Sequence, residues 1–316
     1  MGALMGEKRI VQKTGVSTLT VSLPKHWVEK AGVGKGSDVF AIEEPDGSLI
    51  LTTKPSVDKR ESFDLSIDDV SSSEALKRKF YAAYLEGFDV IRLHSSSKIT
   101  PEFRKVILME TKRLIGIEVV EESSKLVVVK DFFSSEGLSI QKTMKRMHLI
   151  TCSLFEDLLE EKELEAVVER DDEVDRLRFL LLRQLHLALQ NPAVLRSLDL
   201  SATKCIDYAM ITLYVERVAD KVTMIAKALS REKNHDAAFK PVKPHLEKAY
   251  RLYVDAVKSF LDRDFNLAMK VINARSPFYS EIGAAKKETS PVSMLEHTTS
   301  ILEHAVEIAE QAINQS

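Results

Sequence analysis

Val215-Glu216-Arg217-Val218-Ala219-Asp220-Lys221-Val222-Thr223-Met224-Ile225-Ala226 sits inside a longer helical run, Ala202 to Ser230, and its spacing decides the fold. Around it Tyr208, Ile211, Val215, Val218, Val222, Ile225 and Leu229 recur at alternating steps of three and four. That spacing keeps one apolar stripe turned towards partner helices over about six turns, the pattern of a helical bundle. Beside the stripe, Glu216 and Asp220 stand four residues apart and share one face. An earlier run, Val167 to Leu189, carries a matching pair, Asp171 and Asp175. They interrupt an apolar row of Leu164, Val168, Leu182, Leu185 and Leu189. The two pairs have two readings. On a solvated face they form ordinary ion pairs with Arg170, Arg178, Arg217 or Lys221, each worth about 0.3–0.5 kcal/mol. Turned inward, they offer four oxygen donors to a divalent cation in a bundle, without the histidine of a typical zinc site.

Working outward, the helical pattern begins near Leu138 and holds to the end of the chain. Ile140, Met144, Met147, Leu154 and Leu158 make one stripe; Asn191-Pro192 ends the acidic run that follows. Residues 231–244 read as a charged linker. Leu246, Tyr250, Tyr253, Val257 and Phe260 define a fourth helix, Phe265 to Asn273 a shorter fifth, and Pro277 and Gly283 punctuate what comes next. Leu295, Thr298, Leu302, Ala305, Ala309 and Ala312 form the seam of the last helix. Six segments in two sets of three suggest a duplicated three-helix unit, 138–230 and 241–316.

Towards the N-terminus the period changes. Residues 56–133 read as strand, helix, strand, helix and a final strand pair, a small α/β domain. Ser71 and Glu74 have capping-box spacing ahead of Leu76, Phe80, Ala83 and Tyr84, and Thr100-Pro101-Glu102 opens the second helix. The domain has no glycine-rich phosphate loop, Cys/His cluster or nucleophile motif, so it reads as a spacer or small sensory domain.

Residues 6–55 alternate Thr18, Thr20 and Ser22 with Leu19, Val21 and Leu23, the period of a half-buried strand. Pro24 then starts a short helix that Gly32 and Gly34 stop; Val39 to Ile42, Pro45-Asp46-Gly47 and Leu49 to Leu51 read as a hairpin. So few residues make a very small core, and such a unit commonly needs a partner chain.

Of 316 residues, 44% are hydrophobic and 29% charged, which describes a globular chain with ample core. Its 45 basic and 48 acidic residues give no global attraction to nucleic acid or membrane. Up to Lys35, however, Lys8, Arg9, Lys13, Lys25 and Lys30 outnumber Glu7 and Glu29. Two cysteines, Cys152 and Cys205, make neither a disulfide framework nor a metal knuckle. With no signal-peptide core and no membrane-length apolar run, a cytoplasmic protein without membrane insertion is expected.

Two resemblances add to this. The Ser-Leu-Pro-Lys at 22–25, Trp27 and Gly36-Ser37-Asp38 before the hairpin resemble the AbrB/SpoVT family of swapped-hairpin DNA-binding domains. The resemblance implies that two chains interlace into one β-barrel and that Lys8, Arg9, Lys13, Lys25 and His26 face DNA. Val167 to Asp175 and Glu216-Arg217-x-x-Asp220 ending in Ile225-Ala226 are similar to the acidic signatures of the PhoU family. That implies paired three-helix bundles and acidic signatures able to hold iron or zinc, with Asp171, Asp175, Glu216 and Asp220 as the ligands; manganese and magnesium suit the same oxygen donors. The second repeat departs from the signature. Aligning Ile308-Ala309 with Ile225-Ala226 sets Glu303 opposite Asp220 but Thr299 opposite Glu216, and the fifth helix lacks an acidic pair.

An AbrB-like head on a PhoU-like body resembles the arrangement of archaeal phosphate-uptake regulators. The expected protein is a non-enzymatic, homodimeric or larger DNA-binding regulator of phosphate uptake. The alternative is an adaptor that contacts a phosphate transporter or its sensor, with the head only dimerising.

Overall fold

The computed structural model describes residues 7–43, 47–53, 62–132, 139–161, 163–288 and 292–314. The chain divides into two compact units, Met1–Asp58 and Lys59–Ser316.

In the first unit β1 (Gln12–Thr14) and β2 (Thr18–Thr20) form an antiparallel hairpin about Gly15, whose φ of +76° suits the turn. Helix α1 (Lys25–Ala31) follows Pro24, which takes the N-cap position, and closes on Gly32 in the left-handed region. Strands β3 (Phe40–Glu43) and β4 (Leu49–Thr52) form a second hairpin; Pro45 and Asp46 of its turn lie outside the described residues. The barrel expected of this head does not close within one chain, because the hairpins remain two separate two-stranded sheets. Nor is Thr18–Leu23 half-buried: Leu19 is 68% exposed, Val21 49%, and α1 buries nothing. Four short strands leave their outer hydrogen-bonding edges and apolar side chains without cover.

The second unit opens with β5 (Ser62–Ser66), α2 (Ser73–Glu86), β6 (Val90–His94), α3 (Pro101–Arg113), β7 (Ile117–Glu122) and β8 (Leu126–Asp131). They give one sheet in the order β5-β6-β8-β7, with β5 parallel to β6 and the remaining pairs antiparallel. Ser72 rather than Ser71 caps α2, accepting from the Ala75 amide, and Glu74 turns to Arg78 instead of closing a capping box. Strand β7 is an edge. It carries exposed Glu118, Glu121 and Glu122 and a bulge between Val119 and Glu121, two devices that discourage further pairing.

The helices are α4 (Ile140–Leu159), α5 (Leu164–Gln190), α6 (Pro192–Ser197), α7 (Ala202–Leu229), α8 (His235–Phe239), α9 (Lys243–Asp262), α10 (Phe265–Asn273), α11 (Arg275–Glu288) and α12 (Val292–Asn314). All seven stripe residues of α7 are buried, as is the six-residue seam of α12. Helices α4, α5 and α7 pack together, as do α9, α10 and α12, and α7 and α12 join the two sets. Three expectations change. The 231–244 segment is not a solvated linker: Asn234 caps α8, and Phe239 and Val242 are buried. Pro277 falls in the first turn of α11, where a missing N–H breaks no helical hydrogen bond, so the chain stays helical through Gly283. On α5, Leu189 is 48% exposed, and the buried positions instead include Val174, Leu177, Leu180, Leu181, Arg183 and Gln184.

That wider buried surface has a cause. Helix α5 packs against α4 and α7 on one side and against α2 on the other. Arg183 donates to the carbonyls of Tyr84 and Phe88, the latter at 3.1 Å, and pairs with Asp131 at 2.6 Å. Its guanidinium also lies 4.6 Å from the Tyr84 ring centroid. Gly87, at φ +91°, ends α2 so close to α5 that a Cβ there would sit 2.4 Å from Leu187 Cδ2. Replacing Arg183 by Met should therefore cost about 3–5 kcal/mol, because Asp131 keeps a buried charge with its ion partner gone. Adding Asp131→Leu should recover most of that loss. Urea unfolding of the two variants measures both, and a single-variant loss under about 1 kcal/mol would contradict this role.

Candidate functional site

Asp171, Asp175 and Arg178 follow one another at steps of four and three, so they share a face of α5; Glu216 and Asp220 share a face of α7. These helices are packed neighbours, and the faces meet. Arg178 Nε lies 3.2 Å from Glu216 Oε1 and 3.6 Å from Asp175 Oδ1. All four carboxylates are half-buried rather than freely solvated. Burial raises Glu216 to about 7; Arg178 opposes the shift, and Asp220 and Asp175 add to it. Burial, then the charges of Asp220 and Asp175, raises Asp171 to about 6. Burial and Asp175 also raise Asp220. For Glu216 the charges of Arg178 and Arg217 do not offset burial and two carboxylate neighbours, and the proton is held more tightly as a result.

Among the described residues no three His, Cys, Asp or Glu side chains gather so as to hold a metal ion, and a guanidinium stands among the carboxylates. Of the other cations named from the sequence, Lys221 favours the charged form of Asp220 and Arg217 that of Glu216, neither enough to offset burial. Arg170 pairs with Asp157 and donates to Ser153 at 2.9 Å, and Arg217 lies 6.0 Å from the Tyr214 ring.

Sequence reasoning missed the α/β side of this face. The Arg178 guanidinium lies 4.2 Å from the Phe179 ring centroid, and Phe179 stacks on Tyr81 of α2 at 4.5 Å. The Tyr81 hydroxyl donates to Glu110 of α3, and Arg113 of α3 pairs with Asp172, next to Asp171. No spacing rule marks contacts between residues 29, 59 or 98 positions apart. The only hint was an aromatic residue, Phe179, beside the acidic face.

In the first unit the expected DNA-facing residues divide by what they touch. Arg9 pairs with Glu7 at 2.6 Å, and Lys25 lies 3.8 Å from Glu29. Lys8, Lys13 and His26 are exposed and have no ion pair among the described residues.

Between α4 and α9 lies a different polar cluster. His148 Nδ1 is 3.0 Å from the Tyr253 hydroxyl, with Cys152 Sγ 3.6 Å from Nε2. Burial lowers His148 to about 4 and raises Cys152 to about 11, which leaves both neutral and the thiol unreactive. On α12 His304 bonds Glu307 at 2.7 Å while Glu303 bonds Arg275 at 2.7 Å, which makes two separate pairs.

With the geometry in place, comparison with known families is informative. Residues 139–229, from the start of α4 to the end of α7, match the family model of the PhoU domain. Residues 12–59 match the model described as antidote-toxin recognition MazE, bacterial antitoxin. The chain thus carries a MazE/AbrB-like domain ahead of a PhoU domain. No curated protein and no solved structure matches significantly. No described helix is long and apolar enough to cross a membrane.

The buried His148 has a consequence for acid stability. Its folded-state value, about 4, lies below the ordinary 6.5, so the unfolded chain binds the proton first as pH falls. The His148 contribution to stability is then lost progressively from about pH 6.5 down to about pH 4, by up to about 1.4 kcal/mol per pH unit, while Glu216 and Asp171, raised by burial, act in the opposite direction. A His148→Gln variant should show a shallower loss across that window in urea melts at stepped pH. An unchanged slope would place the acid sensitivity elsewhere.

Proposed function

We propose that this chain is a DNA-binding regulator of phosphate uptake and homeostasis that acts without catalysis, in the cytoplasm and as a homodimer. The observation that carries the reading is the join of a MazE/AbrB-like domain to a PhoU domain in one chain, both from regulatory rather than catalytic families. The head's physical state supports it. Ile10, Val16, Leu19 and Leu49 are 77%, 93%, 68% and 55% exposed, so the unit lacks a core of its own, and a second copy would cover these side chains. Lys8 and Lys13 beside them supply charge for a phosphate backbone.

A second reading is favoured by the pairing of Arg9 and Lys25 with glutamates, which reduces the positive face. Here the head only dimerises, and the helical unit docks on a phosphate transporter or its sensor. Sedimentation of the full chain at micromolar concentration should give a dimer under either reading; a monomer would overturn both.

DNA binding separates the two readings. Fluorescence anisotropy with a labelled duplex should show affinity falling steeply with salt. The Lys8→Ala, Arg9→Ala, Lys13→Ala triple variant should bind more weakly on every sequence, its log–log salt slope shallower by about one for each phosphate no longer neutralised. Wild-type chain that ignores DNA, or a triple variant that binds unchanged, leaves the adaptor reading.

A further inference from the structure

The acidic face shared by α5 and α7 is half-buried, carries four carboxylates and has a cation already in place. Arg178 approaches Glu216 at 3.2 Å and Asp175 at 3.6 Å, with its own side chain 20% exposed. It is not a long side chain that happens to lie nearby. Its guanidinium sits 4.2 Å from Phe179, and Phe179 stacks on Tyr81 of the neighbouring α2, so the α/β layer furnishes an aromatic floor beneath it. Guanidinium suits this position better than ammonium would, being planar, permanently charged and able to stack on a ring while facing carboxylates.

An independent observation comes from the second three-helix set. Arg275, at the start of α11, bonds Glu303 of α12 at 2.7 Å, and Glu303 is the residue that the repeat alignment sets opposite Asp220. In both sets an arginine from outside the last helix meets a carboxylate on it, although Arg275 lies on α11, between the second and third helices of its set. The acid positions differ between the sets, yet the arginine contact recurs.

We propose that Arg178 is the resident cation of this face and stands in place of the metal ion that the acidic signatures were expected to recruit. One of the negative charges on this face is then balanced from within the unit. Removing the guanidinium leaves half-buried carboxylates repelling one another, so a variant that also loses one of those negative charges regains stability.

Thermal unfolding of the full chain tests this in two arms. In the first, wild-type protein is melted with and without about 1 mM manganese, zinc or iron(II), and the midpoint should stay put. A metal ion that bound the folded state at a hundredth of that concentration would raise the midpoint by several degrees. Such a rise, abolished by Asp220→Asn, would overturn the proposal. In the second arm, Arg178→Met should lower the midpoint by about 2–4 °C or more, Glu216→Gln alone should change it little, and the double variant should recover at least half the loss. A neutral Arg178→Met would overturn the proposal. So would a loss that Glu216→Gln does not relieve, because the contribution would then be packing on Phe179 rather than charge. Arg178→Lys retains the charge without the stacking plane and should fall between wild type and Arg178→Met. Should Arg178→Met fail to fold, Arg178→Lys with and without Glu216→Gln reads the same coupling, and the metal arm needs no variant.

Discussion

Burying one arginine ties the second unit together. Helix α5 has to satisfy two cores, the helical bundle on one side and the α/β sheet with α2 on the other. A helix buried on both sides is ordinarily apolar all round, yet α5 places Arg183 where the layers meet, 2% exposed. The charge is tolerated because each direction in which it points offers an acceptor: two carbonyls near the end of α2 and the carboxylate that ends β8. Gly87 suits its place for a related reason, since its φ of +91° strains other residues and a Cβ there would require Leu187 to shift. The α/β layer is therefore no spacer hung beside the bundle. It shares a helix with it.

The same helix carries the acidic face a few turns earlier. Arg178 and Phe179 are adjacent in sequence, one facing carboxylates and the other stacked on α2. Arg113 reaches across to Asp172 from α3. The acidic face and the α2–α3 side of the α/β layer are thus joined by contacts through Phe179 and Tyr81 and through Arg113 and Asp172. Contact alone does not make two sites energetically coupled, and a double-variant cycle between Tyr81 and Glu216 would measure the strength of the link.

What the sequence revealed follows from how each element is buried. Helices α7 and α12 were legible because each turns one stripe inward, and a 3.6-residue period records that directly. The β-α-β-α-β-β order was legible for the same reason, with period two replacing 3.6. Helix α5 was misread at Leu189 because a helix buried on two faces has no single stripe to find. The short α8 was missed because charged residues surround Phe239 and Ala238. The four carboxylates could be picked out by spacing alone, whereas the Tyr81–Phe179 platform joins residues 98 positions apart. Arg183 left no signal either: two of its partners are backbone carbonyls, which every residue possesses.

The exposed hairpins of the head carry a consequence for cellular dosage. The helical and α/β unit holds its own core and guards its β7 edge with glutamates and a bulge. If the head closes only across two chains, its folded fraction obeys mass action and falls as the protein is diluted. Synthesis rate would then set more than the number of regulators. Below a threshold abundance, a newly made chain would have a finished body and an unfinished head, and each further copy would raise the fraction of heads that are complete.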